Sequence, residues 1–400
     1  MRKLGSIQKI KAIAPIEGAD AIEKIEVIGW ELVAKKGEFK VGDFCVYVEI
    51  DSVLPDKPEF EFMRPRKFRV KTIKLRGQIS QGIAFPLSIL PSDVKVEEDL
   101  DVTDIIGIIK WDPEQESIII EKEPVFDDKN KLVRFYKKHK YLITRRIKKV
   151  LGISTKTTKD DFPSYVPKTD ETRVQTMLRG LTTHEGKVAY ITEKLEGSST
   201  TFIAIKSKGS WIKKLFTSQP MMFLVCSRNK IVNNRADDRF YVAKKYDLSN
   251  KLTSLKRNIA IQGELIGPSI QGNIYKLEDK DFSMYLAYDI ENSRYLNYEE
   301  LVALSKQLGV PMVSVLDENH IVHTDIKQYV DLSLGNSVMN NKQKREGIVI
   351  RLKDENFSFK SINPAYLVEK EEKEERESKK KEKVLTKSED SINEKSEQKI

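Results

Sequence analysis

Four short apolar runs constrain this chain most: VAYITEKL (188–195), IAIQGELIG (259–267), MYLAYDI (284–290) and EGIVIRL (346–352). Each is too short for a buried helix and rich in β-branched or aromatic residues, so each reads as a strand. Polar, helix-like stretches alternate with them. In 298–309 (YEELVALSKQLG), Leu301, Leu304 and Leu308 fall at helical spacing and Gly309 marks the stop. Residues 166–368 therefore predict one α+β domain.

The first 105 residues carry a different pattern. In 43–50 (DFCVYVEI), Phe44, Val46, Val48 and Ile50 alternate with Cys45, Tyr47 and Glu49, and Gly37 and Gly42 punctuate the approach. A second strand-rich stretch, 68–86, is broken by Gly77 and Gly82. Short strands at this spacing predict a small OB-like β-barrel module over 1–105. Residues 106–165 are mixed and charged, and read as a linker with some helix. From 369 to 400 ten Lys/Arg face eleven Asp/Glu. Such a tail buries too little apolar surface to offset the entropy of ordering, so it is expected to be disordered, or at most a solvated helix held by Glu/Lys pairs at i, i+4, and to take no part in catalysis.

The formal charge of +9 and pI near 9.1 point to a polyanionic partner. Because the tail is nearly neutral, the excess sits on the body. Arg64, Arg66, Lys67, Arg69, Lys71, Lys74 and Arg76 cluster in the N-terminal module. A second run, from Arg134 to Tyr141 and on to Arg145, Arg146, Lys148 and Lys149, interleaves cations with aromatics. Both suit a surface that follows a nucleic-acid backbone; the second is equally a solvated charged face, whereas its place in an OB-like module strengthens the nucleic-acid reading of the first. Cys45 and Cys226 lie far apart and suggest neither a disulfide framework nor a zinc site. His320 and His323 read as hairpin residues rather than metal ligands. No apolar run reaches membrane-spanning length, and charges interrupt the N-terminal apolar positions where a signal peptide needs continuity. A soluble intracellular protein is expected.

The chemistry-bearing signal is an ordered set of motifs. Glu193-Lys194-Leu195-Glu196-Gly197 is followed by Ser227-Arg228-Asn229, Gly263-Glu264-Leu265-Ile266-Gly267 and Tyr285-Leu286-Ala287-Tyr288-Asp289. Then come Glu346-Gly347-Ile348-Val349-Ile350-Arg351 and Ser358-Phe359-Lys360, with Pro167 to Gln175 upstream. Any one of these arises by chance as a turn glycine, an exposed lysine or a core tyrosine; the order is what carries weight. At these residues, over roughly 162–367, the chain resembles the covalent nucleotidyltransferases, which are ATP-dependent ligases and capping enzymes. It is most similar to the RNA ligase 2 type. KKGEFKVGDFCVYVEIDSVLP (35–55) and FRVKTIKLRGQISQG (68–82) resemble the Deinococcus-type branch with an N-terminal OB module.

The resemblance implies an ATP-dependent RNA ligase in which Lys194 becomes joined to AMP. A protonated amine is not a nucleophile, so such a site is expected to depress the lysine pKa. Lys360 matches the phosphate-contacting lysine, Glu264 the acid near the ribose, and Glu196 and Glu346 the acids facing Mg²⁺ or Mn²⁺ through its water shell. Gly197 completes the nucleophile motif. Glu193 matches the residue that reads the adenine edge, Tyr288 the aromatic that stacks on the base, and Arg228 a phosphate- or ribose-side arginine. Arg69, Lys71, Lys74, Arg76 and Arg173 are expected to touch the nucleic acid, an RNA or RNA-containing duplex with a nick.

Two positions depart from the family pattern. Glu196 stands where aspartate is usual, and Ser358 where a lysine often precedes Lys360, leaving Arg351 or Lys353 to restore that charge. The same lysine chemistry serves DNA ligases, which these motifs do not separate from RNA ligases, and capping guanylyltransferases, whose OB module follows the core instead of preceding it. A non-catalytic nucleic-acid binder is opposed by the joint presence of Lys194, Glu264, Glu346 and Lys360.

Overall fold

The computed structural model describes residues 3–111, 161–207 and 221–376. The second basic run, from Arg134 to Lys149, lies outside these residues, as do most of the expected linker and the tail from 377.

The N-terminal module is built of short antiparallel strands around two apolar clusters. Phe44–Val48 runs between Gly5–Lys9 and Ile83–Phe85, and a meander of Ala12–Pro15, Ile22–Val27 and Trp30–Lys35 lies alongside. The alternation at 44–48 does not separate a wet face from a dry one. Val46 and Val48 pack with Ile7 and Phe60, whereas Cys45 and Tyr47 pack with Trp30 and Leu32. The strand is therefore the central one, covered on both sides. The module also extends past residue 105, because Ile109–Lys110 pairs with Ser52–Val53.

The second domain is two facing five-stranded sheets. In one, the order is Thr172–Arg173, Ser358–Ile362, Gly347–Leu352, Val188–Lys194 and Val315–Ile321. In the other it is Met221–Ser227, Ser198–Lys206, Ile259–Ile266, Asp281–Asp289 and Arg294–Tyr295. Each sheet has an outer core. Ile191, Ile348, Ile350 and Phe359 pack under the helix Ile326–Ser333, and Phe202, Ile261, Phe282 and Leu304 pack under the helices Asp238–Lys245, Leu248–Ser254 and Tyr298–Leu308. The alternate residues of these strands face the cleft between the sheets. Tyr298–Leu308 starts with a capping box formed by Asn297 and Glu300 and ends at Gly309 with φ +62, as the spacing predicts. Residues ahead of 166 belong to this domain too: Asp161 bridges to Lys230, and Phe162 packs beside Ala260.

One expectation is corrected. Residues 364–376 form a helix, so the first eight residues of the supposed tail, 369–376, are ordered against the body. Pro364 suits a first helical turn, Tyr366 and Val368 are buried, and Leu367 packs on the N-terminal module's core. Beyond them, fixed counter-charges rather than apolar burial hold the helix in place. Among the described residues no helix is long and apolar enough to cross a membrane.

Candidate active site

Lys194 ends the strand that belongs to the first sheet, and Ser198 begins one that belongs to the second. Leu195-Glu196-Gly197 is thus the crossing between sheets, which puts Lys194 at the mouth of the cleft. Cross-strand register then gathers the acids. Lys194 pairs with Gly347, which brings Glu346 alongside, and Ser199 pairs with Glu264. Gly197 fits only as glycine: an added Cβ would lie 2.4 Å from the Leu265 carbonyl oxygen and 2.7 Å from Glu264 Cγ.

The electrostatics of this cluster favour the protonated lysine. Lys194 Nζ donates to Glu346 Oε1 at 2.7 Å. Burial alone would push the Lys194 pKa down, but Glu346, Glu264 and Glu196 outweigh it and hold the pKa above the ordinary lysine value. The protein by itself therefore keeps Lys194 as an ammonium, contrary to the depressed pKa expected from sequence. Burial, with Glu346 and Glu196 nearby, pushes Glu264 up to about 8 against the pull of Lys194. Burial also raises Glu196, but Lys370 and the Tyr366 hydroxyl more than reverse this, and its net pKa is lowered. Among the described residues no three His, Cys, Asp or Glu side chains converge as direct metal ligands. Glu196 and Glu346 are the acids that would face a cation through its water shell.

Lys360 and Arg228, the cations expected on the phosphate side, meet at one carboxylate. Lys360 Nζ lies 3.3 Å from Asp170 Oδ1, and Arg228 Nη2 lies 2.9 Å from Asp170 Oδ2. Burial and the neighbouring Lys194 lower the Lys360 pKa, with Asp170 opposing them. Ser358 pairs across strands with Arg351, whose buried guanidinium binds Glu171 at 2.6 Å. Arg351 therefore brings a cation to the cleft face beside Ser358. Lys353 is turned elsewhere, over the Tyr298 ring and toward Asn319.

Glu193 is buried and accepts from the Val338 amide at 2.9 Å through Oε2, while its Oε1 finds no donor among the described residues. Tyr288 lines the cleft with Asp170, Glu171 and Arg351. A β-bulge between Gln262 and Gly263 shifts the strand phase, and Tyr285 rather than Tyr288 stands beside the acids. The Tyr285 hydroxyl contacts Thr169 at 3.1 Å and Ser199 at 3.4 Å, and its ring packs with Leu195. Tyr288 lies opposite Ala260, edge-on to Tyr295 at 5.1 Å, and packs with Val166 and Ile203.

Residues 187–362 match the family model for RNA ligase, and residues 4–87 match an OB-fold domain. The structure is similar to those of Naegleria gruberi RNA ligase. An apo aspartate-to-alanine mutant of that protein aligns at TM-score 0.72 and 33% identity, covering 93% of this chain and 99% of that one. The chain belongs to the RNA ligase family. A lysine-to-alanine mutant of the Naegleria gruberi protein with ATP and Mn aligns at TM-score 0.71 and 33% identity, over 91% of this chain and 98% of that one. Its form with PPi gives 0.72 and 32%, over 93% and 100%. Among curated proteins no sequence matches this chain.

The ligase's expected nucleic-acid residues divide into two groups. Lys74 and Arg76 are exposed on the hairpin Thr72–Leu75 and Gln78–Gln81, as a backbone-tracking surface requires. Arg69 and Lys71 are not on open surface. Arg69 is 11% exposed, lies 3.3 Å over the Trp111 ring and pairs with Glu371, and Lys71 binds Glu371 at 2.9 Å. Arg173, 12% exposed, reaches Asp51 at 3.5 Å and the Trp30 ring at 5.6 Å, joining the two domains. Sequence reasoning also missed Asp170, Tyr285, Tyr366 and Lys370. Asp170 and Tyr285 lie inside motifs already singled out, whereas a Glu/Lys-rich composition concealed Lys370.

Proposed function

We propose that this RNA ligase uses ATP and a divalent cation to seal 3′-OH/5′-phosphate breaks, specifically nicks in RNA-containing duplexes, through AMP carried on Lys194. The observation that carries this reading is Lys194 at the sheet crossing, 2.7 Å from Glu346 and ringed by Glu264 and Glu196. The unpartnered Glu193 Oε1 supports adenine over guanine. A buried acceptor matches the adenine exocyclic amine, and it would oppose the carbonyl that guanine presents there.

The chemistry follows from these placements. A divalent cation, when bound through water near Glu196 and Glu346, supplies positive charge that offsets the carboxylates' hold on the lysine proton. Once deprotonated, Lys194 Nζ attacks the α-phosphorus of ATP; the phosphorus–nitrogen bond forms, and the bond to the bridging oxygen breaks with its electron pair leaving on pyrophosphate. Lys360, Arg228 and Arg351 lie where they can offset the charge spread over the phosphoryl oxygens. Tyr285 offers the adenine a flat partner. The 5′-phosphate of the break then displaces Lys194 from AMP, and the 3′-OH displaces AMP from that phosphate.

The test is incubation with α-labelled ATP or GTP and Mg²⁺, comparing wild type with Lys194→Ala. Label from ATP that is lost in the variant is the expected result. Label from GTP would replace the reading with capping chemistry. No label from folded protein would leave a nucleic-acid-binding role. Nicked duplexes with RNA or DNA on the 3′-OH side then decide strand preference, RNA being expected.

A further inference from the structure

The helix over residues 364–376 delivers two groups to a single carboxylate. Tyr366 and Lys370 stand one helical turn apart and so share a face. The Tyr366 hydroxyl donates to Glu196 Oε2, and Lys370 Nζ donates to Oε1 at 2.8 Å. Both oxygens of the acid two residues from the nucleophile are thereby engaged. Glu196 is 9% exposed, while Lys370 is 41% exposed, so its ammonium is free to swing outward without opening the core.

The adjoining side of the same helix is anchored on the OB module. Glu371 pairs with Arg69 at 3.3 Å and with Lys71 at 2.9 Å, and Leu367 packs into the module's apolar cluster. A lysine on a solvated helix contributes little through a surface pair. Lys370 differs because its helix is fixed in place and its partner is nearly buried.

We infer that Lys370 is a resident cation at Glu196, which a hydrated divalent ion has to displace, so that Lys370 sets the concentration of metal at which the ligase loads AMP. The inference rests on reading Glu196 as a metal-side acid. An ammonium and a dication repel each other strongly within a few ångströms in a partly buried site, so the two do not share the carboxylate. Lys370 is on this account a positioning residue. It satisfies Glu196 before the metal arrives, and Tyr366 keeps the carboxylate oriented once Lys370 has swung away.

The experiment uses the full-length ligase as wild type, Lys370→Met, Lys370→Arg and Glu196→Gln. Mn²⁺ binding without nucleotide is followed by the electron paramagnetic resonance of the free ion, and self-adenylation is followed as a function of Mn²⁺ concentration. Lys370→Met is expected to lower the half-saturating Mn²⁺ concentration about ten- to a hundredfold, the worth of one charge-assisted hydrogen bond removed from competition. Lys370→Arg is expected to stay near wild type, and Lys370→Gln serves in place of Lys370→Met if the latter fails to fold. An unchanged or raised Mn²⁺ requirement in both readouts overturns the inference. Wild-type Mn²⁺ dependence in Glu196→Gln would instead remove the metal-side reading of Glu196, a separate outcome. In the Glu196→Gln background, the Lys370→Met effect is expected to disappear.

Discussion

Lys194 and Glu346 are 152 residues apart in sequence and meet at 2.7 Å because antiparallel register sets Lys194 opposite Gly347. Glu346 contributes most among the three acids that keep the lysine protonated, and it also faces the proposed cation. Glu346→Gln is therefore expected to lower the Lys194 pKa and still slow self-adenylation by about 10²-fold, because transition-state charge stabilisation is lost with the carboxylate. Single-turnover labelling from ATP across pH 6–10 measures both effects. Wild-type rates in the variant would remove Glu346 from the mechanism.

Glu264 makes stability depend on pH. Its folded pKa, raised to about 8 by burial and the neighbouring acids, exceeds the ordinary glutamate value of 4.5. Between those values the folded protein binds the extra proton, so its contribution to stability falls as pH rises toward 8 and then levels off. Glu264→Gln removes the ionisation. Relative to wild type, the variant should gain about 1–3 kcal/mol on going from pH 5 to pH 9. Urea unfolding at the two pH values tests this, and equal slopes for both proteins would contradict it.

The two tyrosines of one strand are expected to behave differently. Tyr285 stands beside Glu264 and Leu195, whereas Tyr288 packs with Tyr295 and Val166. Tyr285→Ala should raise the KM for ATP in self-adenylation by about tenfold, the value of one lost stacking partner. Tyr288→Ala should change stability more than KM. The reverse pattern would restore Tyr288 as the base-stacking residue.

Charge reversal at the exposed hairpin, Lys74→Glu with Arg76→Glu, should leave self-adenylation unchanged and weaken binding to nicked RNA duplexes. The slope of log affinity against log salt should become shallower by about one unit for each phosphate contact removed. An unchanged slope would place the RNA elsewhere on the ligase. Arg69→Ala, by contrast, acts on the C-terminal helix through Glu371.

The motif order was enough to bring Lys194, Glu196, Glu264, Glu346 and Lys360 into one cleft before any coordinates, because glycines and strand ends fix where such residues emerge. What escaped reading depended on register and on distant partners. Tyr285 comes to stand beside the acids through one bulge at Gln262 and Gly263, a shift that leaves no mark in hydrophobic alternation. Lys370 sits in a stretch whose composition predicts disorder. Its order comes from Glu196, Arg69 and Lys71, which lie up to 302 residues away. Alternation in Phe44–Val48 marked a strand but not that its second face is covered as well, because Cys45 and Tyr47 are compatible with either surroundings.

Asp170 carries a last implication. It already neutralises Lys360 and Arg228, the two cations nearest the expected phosphates. In the proposed reaction, a triphosphate arriving there would exchange one anion for another instead of meeting bare charge, so few new ion pairs would be created on capture. Attraction would be traded for turnover, with Asp170 placed to reclaim Lys360 and Arg228 as pyrophosphate departs into solvent.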